Sequence, residues 1–352
     1  MFHITRYREV EVAGTPREMG QQIGEAAREE IRAFSEVALD RVNMTVQCSR
    51  EKALGVARNC FPYVETYAPH LLDEMRGMAE GSGIPVDDLM LLQVRNQLLG
   101  EHDCGCTSFA VSPPAARVVM VGQNWDNDPA LDPYTIVLTR RPAGKPALMN
   151  ITQAGLIGYI GLNAAGIGLC MNTLPAPSRV RGVPHYFTVR GIFDSNNLDD
   201  AVHAVRRAYR AIPINIMLST PQGPANLEVT LDNVYVFRDN GQGIVTHTNH
   251  CEHPDLQPLN AQFSELIQSI PRKMRIEKLL EERKRPLALE NFKNALSDHY
   301  NYPTSICRHP NDHPTTGHWA TTFSILIEPD AGLLRISRGN PCEHPYETYQ
   351  MS

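Results

Sequence analysis

Apolar residues at Met19, Ile23, Ala27, Ile31, Phe34, Ala38 and Val42 recur every three or four positions. This spacing predicts an amphipathic helix from Thr15 to about Val42, entered through Gly14-Thr15-Pro16. A second helical stretch follows over 51–80, with interruptions expected at Pro62 and Pro69. GSGIPVDDLMLLQV then reads as a turn and a helix capped by Asp87 or Asp88, so the first hundred residues are expected to be mainly helical. Beyond Cys106 the period shortens to two. SFAV, RVVMVGQNW, YTIVLTR, ALMNITQ, LIGYIGLNAAGIGLCMN, INIMLST, ANLEVTLDNVYVFRD, GIVTHTN, TTFSILIEP and LLRISRG all read as strands. Only LDDAVHAVRRAYR and FSELIQSIPRKMRIEKLLEERKRPLALENFKNAL supply helices among them. Many strands with few intervening helices predict antiparallel sheets covered by helices, an α+β layered domain. QNWDNDPALDP and PAPSRVRGVP read as loops, and no repeat or low-complexity linker divides the chain.

At 352 residues and 42% hydrophobic content, the chain is long enough for one large or two modest domains. Net charge is −6, and no Lys/Arg run exceeds two, which argues against nucleic acid or anionic membrane as partners. Charges interrupt the opening MFHITRYREVEV, and no segment approaches the ~20 apolar residues of a membrane span. A soluble, cytoplasmic protein is expected. The eight cysteines are scattered without a C-x-x-C pair, so neither a disulfide scaffold nor a zinc ribbon is indicated.

Candidate chemistry centres on HDCGCTSFAV, residues 102–111, where helical texture gives way to strand. Cys106 admits three readings. It packs a core as a small apolar group. Alternatively it binds a metal with Cys104 and the run His247-Thr248-Asn249-His250-Cys251-Glu252-His253, although these spacings match no common zinc pattern. In the third reading Gly105–Cys106 is a bond that breaks: the Cys106 sulfur attacks the Gly105 carbonyl, and water releases a chain beginning with cysteine. Glycine permits unusual backbone angles there. The freed α-amine, with a pKa of about 7.7 to 8.0, is a base for its own thiol without a histidine.

GCTSF, GQNWDND at 122–128, GLNAAGIGLCMNTL at 161–174, HTNH at 247–250 and SICRHPN at 305–311 occur in an order that resembles the acyl-coenzyme A:6-aminopenicillanic acid acyltransferase family of N-terminal-nucleophile hydrolases. GTPREMGQQIGEAAREEI is similar to that family's opening helix. The resemblance implies a four-layer αββα sandwich forming one composite domain, with a helical segment 1–105 and a catalytic segment 106–352 separated by self-cleavage. It implies Cys106 as nucleophile, freed after Gly105. Asp126 matches an active-site aspartate, although composition alone favours an Asx turn in Asp126-Asn127-Asp128-Pro129. Asn249 matches an asparagine that donates to the oxyanion, a task suited to its NH₂. Arg308 matches an arginine that holds Asp126 or a substrate carboxylate; unaided, it reads as a surface or ion-paired arginine. One departure stands out: the family's penicillin enzyme carries aspartate directly before the cleavage-site glycine, where this chain has Cys104, with Asp103 one residue earlier. His102, His185, His309, His313 and His318 have no spacing that reads as catalytic.

The expected activity is cleavage of a small N-acyl amide through a thioester acyl-enzyme, with no cofactor and no metal. The absence of a phosphate-cradling glycine loop or basic cluster tilts this reading away from a coenzyme A donor. Acyl transfer from such a thioester to an amine is the alternative, and a non-enzymatic or metal-binding module on the same fold is the rival of another class. The cleaved N-terminal fragment is expected to stay bound as partner, because exposing its apolar faces is costly. A homo-oligomer is left open.

Overall fold

The computed structural model describes residues 5–99, 105–262, 268–313 and 317–351. Strands form two sheets that face each other. The first has eight strands: β1 (Arg8–Gly14), β4 (Thr135–Pro142), β5 (Leu148–Gln153), β6 (Ile160–Asn163), β7 (Gly168–Asn172), β8 (Ile214–Thr220), β9 (Gly223–Val229) and β10 (Val234–Arg238), in that spatial order. The second has six, in the order β11 (Ile244–His247), β2 (Cys106–Val111), β3 (Met120–Asn127), β12 (Ala320–Glu328), β13 (Leu333–Arg338) and β14 (Tyr346–Gln350). Seven helices accompany the first sheet: α1 (Pro16–Ala26), α2 (Arg28–Asn43), α3 (Arg50–Tyr67), α4 (Pro69–Ser82), α5 (Val86–Leu99), α6 (His185–Phe193) and α7 (Leu198–Arg206). Two helices, α8 (Ser269–Glu281) and α9 (Leu289–Leu296), cover the outer face of the second, where Phe292 stacks on Phe109 at 4.8 Å between ring centroids. The expected αββα layering is the architecture found.

Sheets need a reason to stay in register across the interlayer, and buried amides supply one. Asn172 of β7 donates to Ser108 Oγ of β2 at 2.9 Å, and Gln123 of β3 donates to Asn172 Oδ1 at 2.7 Å. A buried amide left unpaired costs roughly 1–3 kcal/mol, so these contacts select one sheet-on-sheet alignment. The motif residues GQN and CMN therefore fix the frame around the site.

Several local expectations are corrected. The first predicted helix breaks at buried Ala27 into α1 and α2, with Thr15 forming the capping box at Glu18. Pro62 does not interrupt α3 but sits inside it, on an exposed position. Asp87 and Asp88 do not cap α5, which begins at Val86; they pair with Arg58 and Arg50. The segment 1–105 is not wholly helical, because REVEVAG forms edge strand β1, parallel to β4, burying Val10 and Val12 between charged neighbours. Strand β14 and helix α6 also lay outside the predicted elements. Close packing of α1 on α4 rests on glycine: a Cβ at Gly20 would stand 1.9 Å from the Glu74 carbonyl oxygen. No helix among the described residues is long and apolar enough to cross a membrane.

Candidate active site

Cys106 opens β2, a central strand of the second sheet, and is 2% exposed. It belongs to the core between the sheets, where Cys170 of β7 lies close enough for the two thiols to interact electrostatically. The peptide unit before it is held at both polar atoms. Its N–H donates to Asn249 Oδ1 at 2.9 Å, and the Gly105 carbonyl accepts from the Asp126 N–H at 3.1 Å.

Asp126, Asn249 and Arg308 all converge on this peptide. A Cβ at Gly105 would lie 3.2 Å from Asp126 Oδ2 and 3.3 Å from both Arg308 Nη1 and Arg272 Nη2. A side chain there would crowd all three groups, so glycine leaves them room. Asp126 is not the Asx-turn residue: it sits inside β3, paired in register with Thr321, and Asp128 takes the turn by accepting from the Ala130 N–H. Arg308 is not a surface residue; it is 2% exposed, with Nε and Nη1 unpartnered in the buried site.

Electrostatics at the site are unbalanced. Burial pushes the Asp126 carboxyl up to about 6, against the pull of Arg272, Arg308 and a hydrogen bond from Thr321 Oγ1 at 2.7 Å to Oδ1. Oδ2 has no hydrogen-bond partner. Burial likewise lowers Arg272 to about 10, although Asp126 opposes the shift.

Arg272 escaped the sequence reading. From α8 its Nη1 donates to the Cys106 carbonyl and to Thr107 Oγ1 (2.9 Å), while Nη2 donates to Asn249 Oδ1 (2.8 Å). A signal was present: Arg272, Ile276 and Leu280 form the buried stripe of α8 at four-residue spacing, and a cation in an apolar stripe needs a buried partner. Ser269, one turn earlier, accepts from the N–H groups of Asn249 and His250 at 2.8 and 2.9 Å, so α8 holds both the arginine and the HTNH loop. The other end of that loop is anchored by Glu228, which accepts from His247 Nε2 at 3.0 Å and from the N–H groups of Glu252 and His253. The Asn249 NH₂, expected to face an oxyanion, donates to Thr173 Oγ1 at 3.0 Å, and the carboxamide oxygen is what meets Cys106. Asp103 and Cys104 lie outside the described residues.

A family model described as acyl-coenzyme A:6-aminopenicillanic acid acyl-transferase matches residues 114–343, a span that includes Asp126, Asn249, Arg272 and Arg308. The chain belongs to this family. Over its full length it is 28% identical to the 40 kDa form of acyl-coenzyme A:6-aminopenicillanic-acid-acyltransferase from Emericella nidulans, covering 96% of that protein. Among solved structures it is similar to penicillin V acylase from Agrobacterium tumefaciens, with a TM-score of 0.46 and 11% identity over 70% of this chain and 86% of that one. A mutant conjugated bile acid hydrolase from Clostridium perfringens gives a TM-score of 0.44 and 12% identity over 70% and 97%. As a member of the acyltransferase family, the protein is an acyl-transferring or amide-hydrolysing enzyme. The non-enzymatic rival falls with that membership. Of the residues named in the metal reading, His247 is committed to Glu228 and the Thr248 carbonyl, His253 stacks on Tyr235, and Cys104 lies outside the described residues.

Proposed function

We propose that the protein is a self-processing amidohydrolase whose nucleophile is Cys106, released by cleavage after Gly105. The observation that carries this reading is the doubly held peptide: an acceptor on its N–H, Asn249 Oδ1 at 2.9 Å, and a donor on its carbonyl, the Asp126 N–H at 3.1 Å. Attack by Cys106 Sγ on the Gly105 carbonyl carbon places the developing oxyanion against that N–H. Collapse breaks the Gly105 C–Cys106 N bond and leaves a thioester with a free α-amine. Water then cleaves the thioester, giving a Gly105 carboxylate and the Cys106 thiol.

The same atoms serve turnover. Asn249 Oδ1 accepts from the new α-amine and aims its lone pair at the thiol, so Asn249 orients the base. The amine takes the thiol proton, sulfur attacks the substrate amide, and the protonated amine returns the proton to the leaving group. Water releases the acid from the acyl-enzyme. Substrate acyl groups replace Gly105 in the space bounded by Asp126 Oδ2 and Arg308 Nη1, which favours an acyl part bearing a polar or anionic group. The N-terminal fragment stays associated, since β1 and the faces of α1–α5 share one core with the catalytic segment. A reducing cytoplasm, which keeps Cys106 a thiol, suits this chemistry.

Intact mass of wild type beside Cys106→Ala tests the proposal. Wild type separates into residues 1–105 and 106–352 while the variant remains whole; two uncut chains under reducing conditions would overturn it. The kinship with a coenzyme A acyltransferase favours a second reading, in which an amine instead of water takes the acyl group. Added amine acceptors then divert product from acid to amide.

A further inference from the structure

A second cluster of reactive side chains stands outside the site. His299 follows α9, Cys307 and His309 flank Arg308, and Cys342 lies between β13 and β14; their ligand atoms all fall within 4.8 Å of one another. His299 Nε2 and His309 Nε2 are 3.1 Å apart, Cys307 Sγ and Cys342 Sγ 3.5 Å, and His309 Nε2 lies 3.6 and 3.5 Å from the two sulfurs. Hydrogen bonding does not account for this arrangement. One Nε2 carries either one proton or one lone pair, yet His309 Nε2 faces three partners at once.

A tetrahedral ion does account for it. With Zn–S of about 2.3 Å and Zn–N of about 2.0–2.1 Å, the edges of a Cys₂His₂ tetrahedron are about 3.8 Å for S···S, about 3.6 Å for S···N and about 3.3 Å for N···N. Four of the six edges match these within about 0.3 Å, and the two from His299 Nε2 to the sulfurs lie within 4.8 Å. An outer layer is also present: Asn340 Nδ2 donates to Cys307 Sγ at 3.3 Å and to the Arg308 carbonyl at 2.8 Å, and Glu343 Oε1 lies 4.0 Å from His309 Nδ1. We propose that His299, Cys307, His309 and Cys342 bind one zinc ion in a closed structural site that pins the loop carrying Arg308. Both thiols lose their protons on binding, so two thiolates neutralise the dication. With four protein ligands the ion has no open position, and it acts on chemistry only by fixing the Arg308 backbone between two of its ligands.

The test needs no activity assay and stands apart from the self-cleavage reading. Untagged protein from zinc-supplemented medium, purified without chelators, is expected to carry about one zinc per chain by elemental mass spectrometry. His299→Gln/Cys342→Ser, which alters the two exposed ligands, is expected to carry almost none. Should that variant fail to fold, cobalt(II) added to chelator-stripped wild type decides the matter, with the intense visible absorption of a tetrahedral thiolate site expected. Metal-free wild type without a cobalt spectrum, zinc undiminished in the folded double variant, or a Cys307–Cys342 disulfide in protein kept reduced would each overturn the proposal.

Discussion

Two buried clusters in this molecule have the same composition, one carboxylate and two arginines, and opposite character. In the first, Glu74 of α4 accepts from Arg140 Nε at 2.7 Å on one oxygen and from Arg190 Nη1 at 2.8 Å on the other, joining the helical layer to β4 and α6. Burial raises the Glu74 carboxyl, but the two guanidinium groups outweigh it and hold the pKa below the ordinary carboxylate range. In the second, Asp126 stands near Arg272 and Arg308 with Oδ2 unpaired, and burial wins, pushing it up to about 6. Both Glu74 oxygens are paired, and the cluster serves as a rivet. Asp126 Oδ2 is instead held open by the surrounding fold at a cost in stability, beside the peptide at Gly105.

Breaking the rivet is expected to have the largest effect. Glu74→Gln leaves two buried arginines without their shared anion and should cost ~3–5 kcal/mol of unfolding free energy, read by denaturant titration. Turnover of the folded fraction at low temperature should be nearly unchanged. Asp126→Asn inverts the pattern: processing and turnover fall on the order of 10²–10³-fold, as when one preorganised polar group is lost, while thermal stability at pH 7 holds or rises. If Asp126→Asn unfolds the protein as Glu74→Gln does, the contrast between the clusters collapses.

The opposed pKa shifts also give opposed pH dependences. Glu74, depressed when folded, contributes stability that is present above its unfolded pKa of about 4.3 and is lost as pH falls through its lower folded value. Asp126, raised when folded, binds its proton more tightly in the native state. Its ionisation therefore costs nothing below about 3.9, begins to cost as pH rises past that value, and costs fully above about 6. Wild type and Asp126→Asn should melt together near pH 4 and diverge by pH 7, with wild type the lower. With the Asp126 carboxylate serving the proposed mechanism, turnover is predicted to fall about tenfold per unit as pH drops below about 6.

The layer order, most strands and the four residues around Gly105 were legible in the sequence. Period-two segments between turn residues mark strands whatever the tertiary context, and the motifs arrive in family order. Arg272 and Glu228 were hidden because their partners are far along the chain: Arg272 meets Asn249 and Cys106, and Glu228 meets His247. Likewise the crowding around Gly105 was hidden, since no sequence states how much space three distant side chains leave. The Cys/His cluster was not read from the sequence, because Cys342 joins it only where the turn after β13 returns to the loop before β12.

The smallest predicted effect tests a hydrogen bond that, behind Arg272 and Arg308, helps hold the Asp126 carboxyl down. Thr321 Oγ1 donates to Asp126 Oδ1 at 2.7 Å and accepts from the Arg308 N–H at 2.9 Å, so one hydroxyl links the carboxylate to the loop of the arginine. Thr321→Val keeps the strand shape and removes both bonds. A hydrogen bond to a charged acceptor is worth ~1.5 kcal/mol, so the acid limb of turnover should move upward by about one pH unit, with the plateau above pH 8 nearly intact. Thr321→Ser, which restores the hydroxyl, should return the limb to its wild-type position. A pH–rate profile of the three proteins reads this directly. An unmoved limb in Thr321→Val would mean that the group titrating near pH 6 is not Asp126, and that this carboxyl does not set the acid limit of the enzyme.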